Sequence, residues 1–459
     1  MRIARFWPVP ANSLPSEADL AIEGRVLLGA AAAFVPVHVA IFAFGVNAQA
    51  LIEADALTFH RMALQFLASA DFGEQQRQPL YPLLIAGALR IAGERGMDLL
   101  VAAQVAMAFG TGMVARQMFR PWLGGAGSAV LFALVILNPN AVALAHWPLA
   151  DTLNALVFSC SVWALLAYAR DARVWQAGVC GLALGLSAVT RPETQFLLYV
   201  LPLAPPLASI VAAPPRFREP RVLVSGLVAT AAALVVVLPW AMQVRSVDDA
   251  YVLSSATKTL ENARGHYALI EAERTGYTQA DIVERLMAEE AVAAEQQQDR
   301  AQILANNYIR QIFTSDPIIV GRLFAKAWIA QFASGGAQSL NRVLGISFER
   351  PDKILNQPGA VSAFFGTLAG QSVAGTLVTI LAVGLALLLR GLGLVGLMFL
   401  IVRRLWLLLL VIGVVLSFKA GVHLFYGLAR YRLSVEPLLM MLAVFGWQQL
   451  RAAFLRRRG

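Results

Sequence analysis

Charge, cysteine and histidine are all scarce in this chain. Only 14% of its 459 residues are charged while 58% are hydrophobic, and a mean hydropathy of +0.64 lies outside the range of water-soluble globular domains. The two cysteines, Cys160 and Cys180, both fall inside apolar runs. They read as buried thiols, which leaves no disulfide scaffold and no thiolate metal site. The five histidines are scattered, with no H-x-x-x-H pair, and His60 reads as a surface histidine. The segment ahead of the first apolar run is long and polar and lacks a small-residue cleavage site, so no cleavable signal is expected. No repeat relates the two halves of the chain.

What the chain has in abundance is apolar runs of roughly 20 residues, long enough to cross about 30 Å of hydrocarbon. They recur everywhere except in a polar stretch near 242–318. An all-α, polytopic membrane protein follows. The net charge of +9 does not indicate nucleic acid, because the arginines cluster in short loops beside apolar runs, as the positive-inside rule expects.

Those clusters set an expected topology. Arg2, Arg5 and Arg25 precede a span at about 26–46 and put the N-terminus in the cytoplasm. The run 79–93 is short, carries Arg90 and reads as interfacial or re-entrant. With that segment not crossing, spans at about 98–118, 126–145 and 152–169 deliver Arg116, Arg120, Arg170 and Arg173 to the cytoplasm. "PPRFREPR" (214–221) falls on the same side, and "HWPLAD" (146–151) and "TRPE" (190–193) fall outside. Further spans at about 222–241, 372–402, 405–422 and 434–450 end on "RRR" (456–458) in the cytoplasm.

The expectation is about ten transmembrane helices. An N-terminal module, 1–241, carries a first outer loop, 47–97; a large outer loop, 242–371, and C-terminal spans, 372–459, follow. In the large loop, 278–313 has helical apolar spacing and a capping-box pattern from Thr278 to Asp281, and 320–333, with Arg322 and Lys326, predicts a helix on the membrane surface. Arg390 sits awkwardly in the 372–402 run and predicts a break there.

Against this background the charges expected on the outer face stand out: Glu53, Asp55, Arg61 and Arg77 in the first loop, Asp151, Arg191 with Glu193, Arg264 with His266, and Arg430 with Arg432. Taken singly they read as solvated charges or structural ion pairs. Taken together, acids and arginines from separate loops at one depth predict a single cavity. Such a set suits transfer from a phosphate leaving group, with a carboxylate receiving a hydroxyl proton and guanidiniums holding the departing oxygens.

The order of local patterns then resembles a known superfamily. "DALTFHRMA" from Asp55, "RQPLYPLLIAGALRIAG" from Arg77, "HWPLADTLNALVF", "GLALGLSAVTRPETQFLL", "ILANNYIRQIFTSDPIIVGRLFAKAWIAQF" and "ARYRLSVEPLLMMLA" occur in sequence from about 26 to 450. They are similar to the polytopic GT-C glycosyltransferases, in particular the bacterial relatives of protein O-mannosyltransferases and of the lipid A aminoarabinose transferase. Gln78 stands where the family pattern has proline, and Phe59 where tyrosine is common.

The resemblance implies a GT-C-like fold and an inverting transfer of one sugar from a polyprenyl-phosphate donor to an envelope acceptor, whether glycolipid, glycan or protein. The reaction would take place at the outer face of a bacterial cytoplasmic (inner) membrane. It makes Asp55 the candidate base or acceptor-positioning residue, supported by Asp151, and puts Arg77 at the carrier phosphate. Arg264 and His266 are further phosphate-side candidates by charge and location. Arg191 and Arg432 are candidates either for ligand contact or for pairing with Glu193 and Glu436. Glu53 is a helix-start charge or a neighbour tuning Asp55, and Arg61 is a supporting residue. A divalent metal is open only through Asp55, Glu53 or Asp151. The alternative function is a transporter or flippase of a lipid-linked molecule, which should carry charges near the midplane and repeat-related halves. A non-catalytic assembly subunit is a third reading, to which Gln78 and Phe59 could point.

Overall fold

The computed structural model describes residues 17–53, 55–72, 77–248, 253, 256–294, 300–346, 365–366 and 368–457. Arg2, Arg5 and Arg458, used above for sidedness, lie outside the described residues. Regular structure among the described residues is entirely helical, the form in which an apolar span satisfies its own backbone.

The first half contains α1 (Glu17–Phe44), α2 (Asp55–Ser69), α3 (Leu80–Ala92), α4 (Gly96–Ile136), α5 (Pro139–His146), α6 (Asp151–Asp171), α7 (Val174–Ala188), α8 (Gln195–Leu198), α9 (Ala204–Ala212) and α10 (Pro220–Asp248). The loop region adds α11 (Ala256–Thr275), α12 (Gln279–Ala294), α13 (Arg300–Thr314), α14 (Pro317–Ala333) and α15 (Ala337–Val343). The chain closes with α16 (Val373–Val402), α17 (Trp406–His423), a 3₁₀ segment (Ala429–Val435) and α18 (Glu436–Arg456).

Among the described residues, seven helical stretches are long and apolar enough to cross a membrane, against the ten expected. The shortfall has local causes. The run at 126–145 is interrupted where the Asn138 side chain caps α5 and Pro139 occupies its first turn. α7 has only 15 residues, about 22 Å. The apolar stretch after Glu193 is split into α8 and α9 around Pro202. The stretch Leu80–Ile136 counts once, although α4 within it is in effect two helices, because Gly124 (φ 70°, ψ −176°), just after Pro121, leaves the helical region between the expected spans 98–118 and 126–145. The 13 residues of α3, about 20 Å, are too short to cross, in agreement with the interfacial expectation.

Small residues let the long helices approach closely. A Cβ on Gly181 of α7 would fall 1.8 Å from the Ala229 carbonyl oxygen of α10, and one on Gly396 of α16 would fall 2.0 Å from the Leu442 carbonyl oxygen of α18. Leu28, Leu227, Val235 and Val373 remain exposed on the outer surfaces of these helices, as lipid-facing side chains do. Arg390 does not break α16: it continues the helix and donates to both carboxylate oxygens of Glu436 at 2.9 and 3.0 Å.

In the loop region Thr278 and Asp281 form the capping box reciprocally, each backbone N–H lying 3.2 Å from the other's side-chain oxygen. Arg322 and Lys326 of α14 do not stand free for headgroups. Both bind Glu273, at 3.1 and 3.0 Å, and fasten α14 to α11. α11 was not foreseen; its Ala263, Ala268 and Leu260 pack with Ile282 and Tyr308 of α12 and α13.

The loops separate by end. Glu23 pairs with Arg116 and Arg120, and Arg216 donates to the carbonyls of Ala169 and Arg170, beside Trp122 and Trp406. α6 runs from this basic end to Asp151, about 30 Å away by its 21 residues. The outer-face charges of the sequence analysis gather at that second end.

Candidate functional site

A cavity of about 470 Å³ opens there, where the start of α2, the start of α6, the turn after α7, α11, α13 and the segment 421–431 meet. Asp55 is the first residue of α2, where the helix dipole favours a carboxylate. It accepts hydrogen bonds from Arg77 and, at 2.7 Å, from Arg430. The Arg77 guanidinium also lies 5.8 Å over the ring of Phe59, one turn along α2. Phe59 therefore supplies a platform where the family pattern has a hydroxyl.

Tyr431 joins the first charge group to a second. Arg430 lies 5.1 Å and Arg191 5.4 Å from its ring centre, and His423 stacks on it at 4.3 Å. Arg191 precedes Pro192, which holds it extended (φ −141°, ψ 130°) and swings it off the end of α7. From there it reaches Asp151 and Glu193, the latter at 2.6 Å, while Lys419 stands 3.4 Å behind Glu193. Arginines and carboxylates thus alternate along one wall.

Burial raises the Asp55 carboxyl, but Arg430 and Arg77 outweigh it and hold the pKa down at about 2. Glu193 is likewise driven up by burial and brought well below the carboxylate range by Arg191 and Lys419. Burial lowers His266 to about 4, so this imidazole is neutral at physiological pH.

Two buried polar nodes fix the frame. Gln104 accepts from the Tyr81 hydroxyl and donates to the carbonyls of Ala145 and Trp147 at 3.0 and 2.9 Å, which sets the turn leading to Asp151. Gln78, 1% exposed, donates to the Leu253 carbonyl at 2.9 Å, and the Trp240 indole reaches the same oxygen at 3.2 Å. The departure from proline at 78 therefore provides a donor that anchors the entry into the large loop.

Of the residues singled out in the sequence, Asp55, Arg77, Asp151, Arg191, Glu193, His266 and Arg430 line the cavity. His266 does so without the positive charge a phosphate ligand was expected to bring. Four others lie elsewhere. Arg264 turns to Glu290 at 2.6 Å and ties α11 to α12. Arg432, 1% exposed, pairs with Glu436 and donates to the Gln331 carbonyl, a structural junction behind the cavity wall. Glu53 pairs with Arg342 of α15, and Arg61 is exposed on α2.

The sequence reasoning counted Arg430 among the outer-face charges but assigned it no role, and it did not single out Tyr431. In the 3₁₀ segment positions 430 and 432 are about 240° apart around the axis, so one faces the cavity and the other the core. Glu436, four residues after Arg432, was the available signal for which is which. The carboxylates considered for a metal do not fit one. Glu53, Asp55 and Asp151 are each engaged by guanidiniums, and no three His, Cys, Asp or Glu side chains converge to hold an ion among the described residues.

No protein-family model matches the chain, and no curated protein matches it in sequence. Among solved structures it is similar to ArnT from Cupriavidus metallidurans bound to undecaprenyl phosphate, with a TM-score of 0.40 and 14% identity. That match covers 93% of this chain and 78% of that one. Against the apo state of the same protein the TM-score is 0.38 and the identity 16%, with the same coverage.

Proposed function

We propose that the chain is a GT-C-type membrane glycosyltransferase that moves a sugar from a polyprenyl-phosphate donor to a cell-envelope acceptor with inversion at the anomeric carbon. The observation that carries this reading is the Asp55 carboxylate, held between Arg77 and Arg430 at a cavity whose rim also carries apolar side chains, Phe196 and Phe313 among them. A lipid-linked phosphate needs that combination: guanidiniums for its oxygens and apolar surface for its tail. The ordered sequence motifs, with Asp55 and Arg77 at their family positions, support it independently. The positive-inside pattern of the opposite end supports an active site on the outer face.

The chemistry is a single displacement. An acceptor hydroxyl forms a bond to the anomeric carbon as the bond from that carbon to the phosphate oxygen breaks, and the hydroxyl proton passes to Asp55. The polyprenyl phosphate leaves with the electron pair, its charge met by Arg77, Arg430 and Arg191. With a pKa of about 2, Asp55 is a weak base while both arginines hold it. A donor phosphate that draws those arginines away raises its basicity at the moment it is needed. Where the acceptor is itself a phosphate there is no proton to remove, and Asp55 positions the nucleophile.

The transporter reading has less support, since the unassigned charges gather at one end and charges within spans such as Arg390 and Lys419 are paired, with Glu436 and Glu193. The test is donor consumption by the purified protein in lipid. A panel of polyprenyl-phosphate sugars is supplied with an envelope-lipid acceptor fraction, and wild type is compared with Asp55→Asn. Turnover lost in the variant while donor binding is retained is the expected result. Binding without turnover across the panel, alike in both proteins, would overturn the reading.

A further inference from the structure

Facing the arginine wall, α11 presents Thr259, Asn262, Ala263 and His266 to the cavity. Their spacing, i, i+3, i+4 and i+7, makes them one face of one helix. None of these four side chains is charged: the His266 imidazole is neutral, Arg264 turns to Glu290, and Lys258, just before the stripe, pairs with Glu261 at 2.5 Å and acts on Asp55 rather than on this face.

His266 is also firmly seated. Its ring packs 4.3 Å from Tyr426 and 5.6 Å from Phe425. Gly265 permits this, since a Cβ there would lie 2.1 Å from the Tyr426 hydroxyl. The residue is 8% exposed, and its Nδ1 has no hydrogen-bond partner among the described residues. A buried ring nitrogen without a partner is unfavourable unless a ligand supplies one. One turn away, Asn262 adds an exposed amide able to donate twice and accept.

We propose that this face of α11, with Tyr426 beside it, is a subsite for an uncharged carbohydrate ring, distinct from the arginines that hold phosphate. Neutral groups that both donate and accept, set beside an aromatic side chain, match vicinal hydroxyls on an apolar ring face. The division of labour leaves the sugar on α11 and the phosphate on Arg77, Arg430 and Arg191, with Asp55 between the two. The proposal rests on the transferase reading. The ring held is that of the donor or of a glycan acceptor, which share this chemistry.

The full-length protein in lipid nanodiscs distinguishes these. Dissociation constants are measured for a sugar-free polyprenyl phosphate and for its glucose, mannose and pentose phosphodiesters, and KM for a glycan acceptor, in wild type, Asn262→Ala and His266→Phe. The phenylalanine keeps the ring packing, and Asn262 is exposed, so neither change endangers the fold. The expected result is that each variant binds the preferred sugar phosphodiester about tenfold more weakly while its affinity for the sugar-free lipid stays within about twofold. An acceptor KM raised by that factor, with donor affinity unchanged, supports the same subsite and assigns it to the acceptor ring. Equal loss for sugar-free and sugar-bearing lipids, or no change in donor affinity or acceptor KM, overturns the subsite and leaves the transferase reading standing. A wild type that binds none of the phospholipids overturns the transferase reading itself.

Discussion

Neutralising Asp55 should tighten the hold on phosphate while abolishing turnover. In the free protein the carboxylate occupies the two guanidiniums that an incoming phosphate must use. Its pKa falls from 3.8 to about 2 although burial works in the other direction. That difference corresponds to about 2 kcal/mol in favour of the charged form. The stabilisation is fully present above pH 3.8 and is lost as pH falls from there through 2. Asp55→Asn removes it at neutral pH, so the free variant unfolds more readily by about 2 kcal/mol. The same change removes a competitor and a repelling charge, so a sugar-free polyprenyl phosphate binds roughly ten- to fiftyfold more tightly. Titration of the lipid in nanodiscs gives the affinity, thermal unfolding with and without ligand gives the stability, and donor consumption gives turnover. A variant that binds polyprenyl phosphate more weakly than wild type, or that still turns over donor, would refute the reasoning.

Three further outcomes are expected. Tyr431→Phe should keep donor KM near wild type because the ring face under Arg191 and Arg430 is retained, whereas Tyr431→Leu should raise KM about tenfold with a smaller change in kcat; equal kinetics for both variants would remove the ring from this role. Glu436→Gln should cost about 3–5 kcal/mol in stability by leaving Arg390 and Arg432 buried without a counter-charge, read by thermal unfolding in lipid, and an unchanged midpoint would contradict the junction. His266 binds its proton better when unfolded, so part of the stability present above pH 6.5 is lost as pH falls towards 4; His266→Phe should flatten that slope, while donor affinity, whatever its level in each protein, should not vary with pH between 5 and 8, and a binding limb near pH 6.5 that disappears in the variant would show that His266 is charged there.

The helices were largely legible because their signal is local. A run of alanine, leucine and valine can satisfy its backbone in hydrocarbon only as helix, and the Thr278–Asp281 pattern specifies a helix start from four residues. Where the reading went wrong, hydropathy was asked to count crossings. Asn138 with Pro139, and Pro202, interrupt runs that remain uniformly apolar, so composition alone joins or extends what capping and backbone angles divide. α11 was missed because its sequence, "ATKTLENARGHYALIEAERT", lacks a strong apolar stripe; it is held by packing on α12 and α13.

What the sequence determined by itself was residue type and depth: a polytopic helical chain, with acids and arginines placed by their flanking spans at one level. Motif order added Asp55, Arg77, Asp151 and Arg191, and these meet in one cavity. Tertiary structure alone decided which charges face one another. Arg430 reaches Asp55 across 375 positions, while Arg432, two residues on, turns to Glu436. Arg264 leaves the cavity for Glu290, and its neighbour His266 enters it uncharged. Hydrophobic spacing sets how deep a side chain sits, because transfer energy accumulates along the chain. Its direction around the helix, its partner and its charge state depend on surfaces supplied by distant segments, and these exist only once the helices have packed.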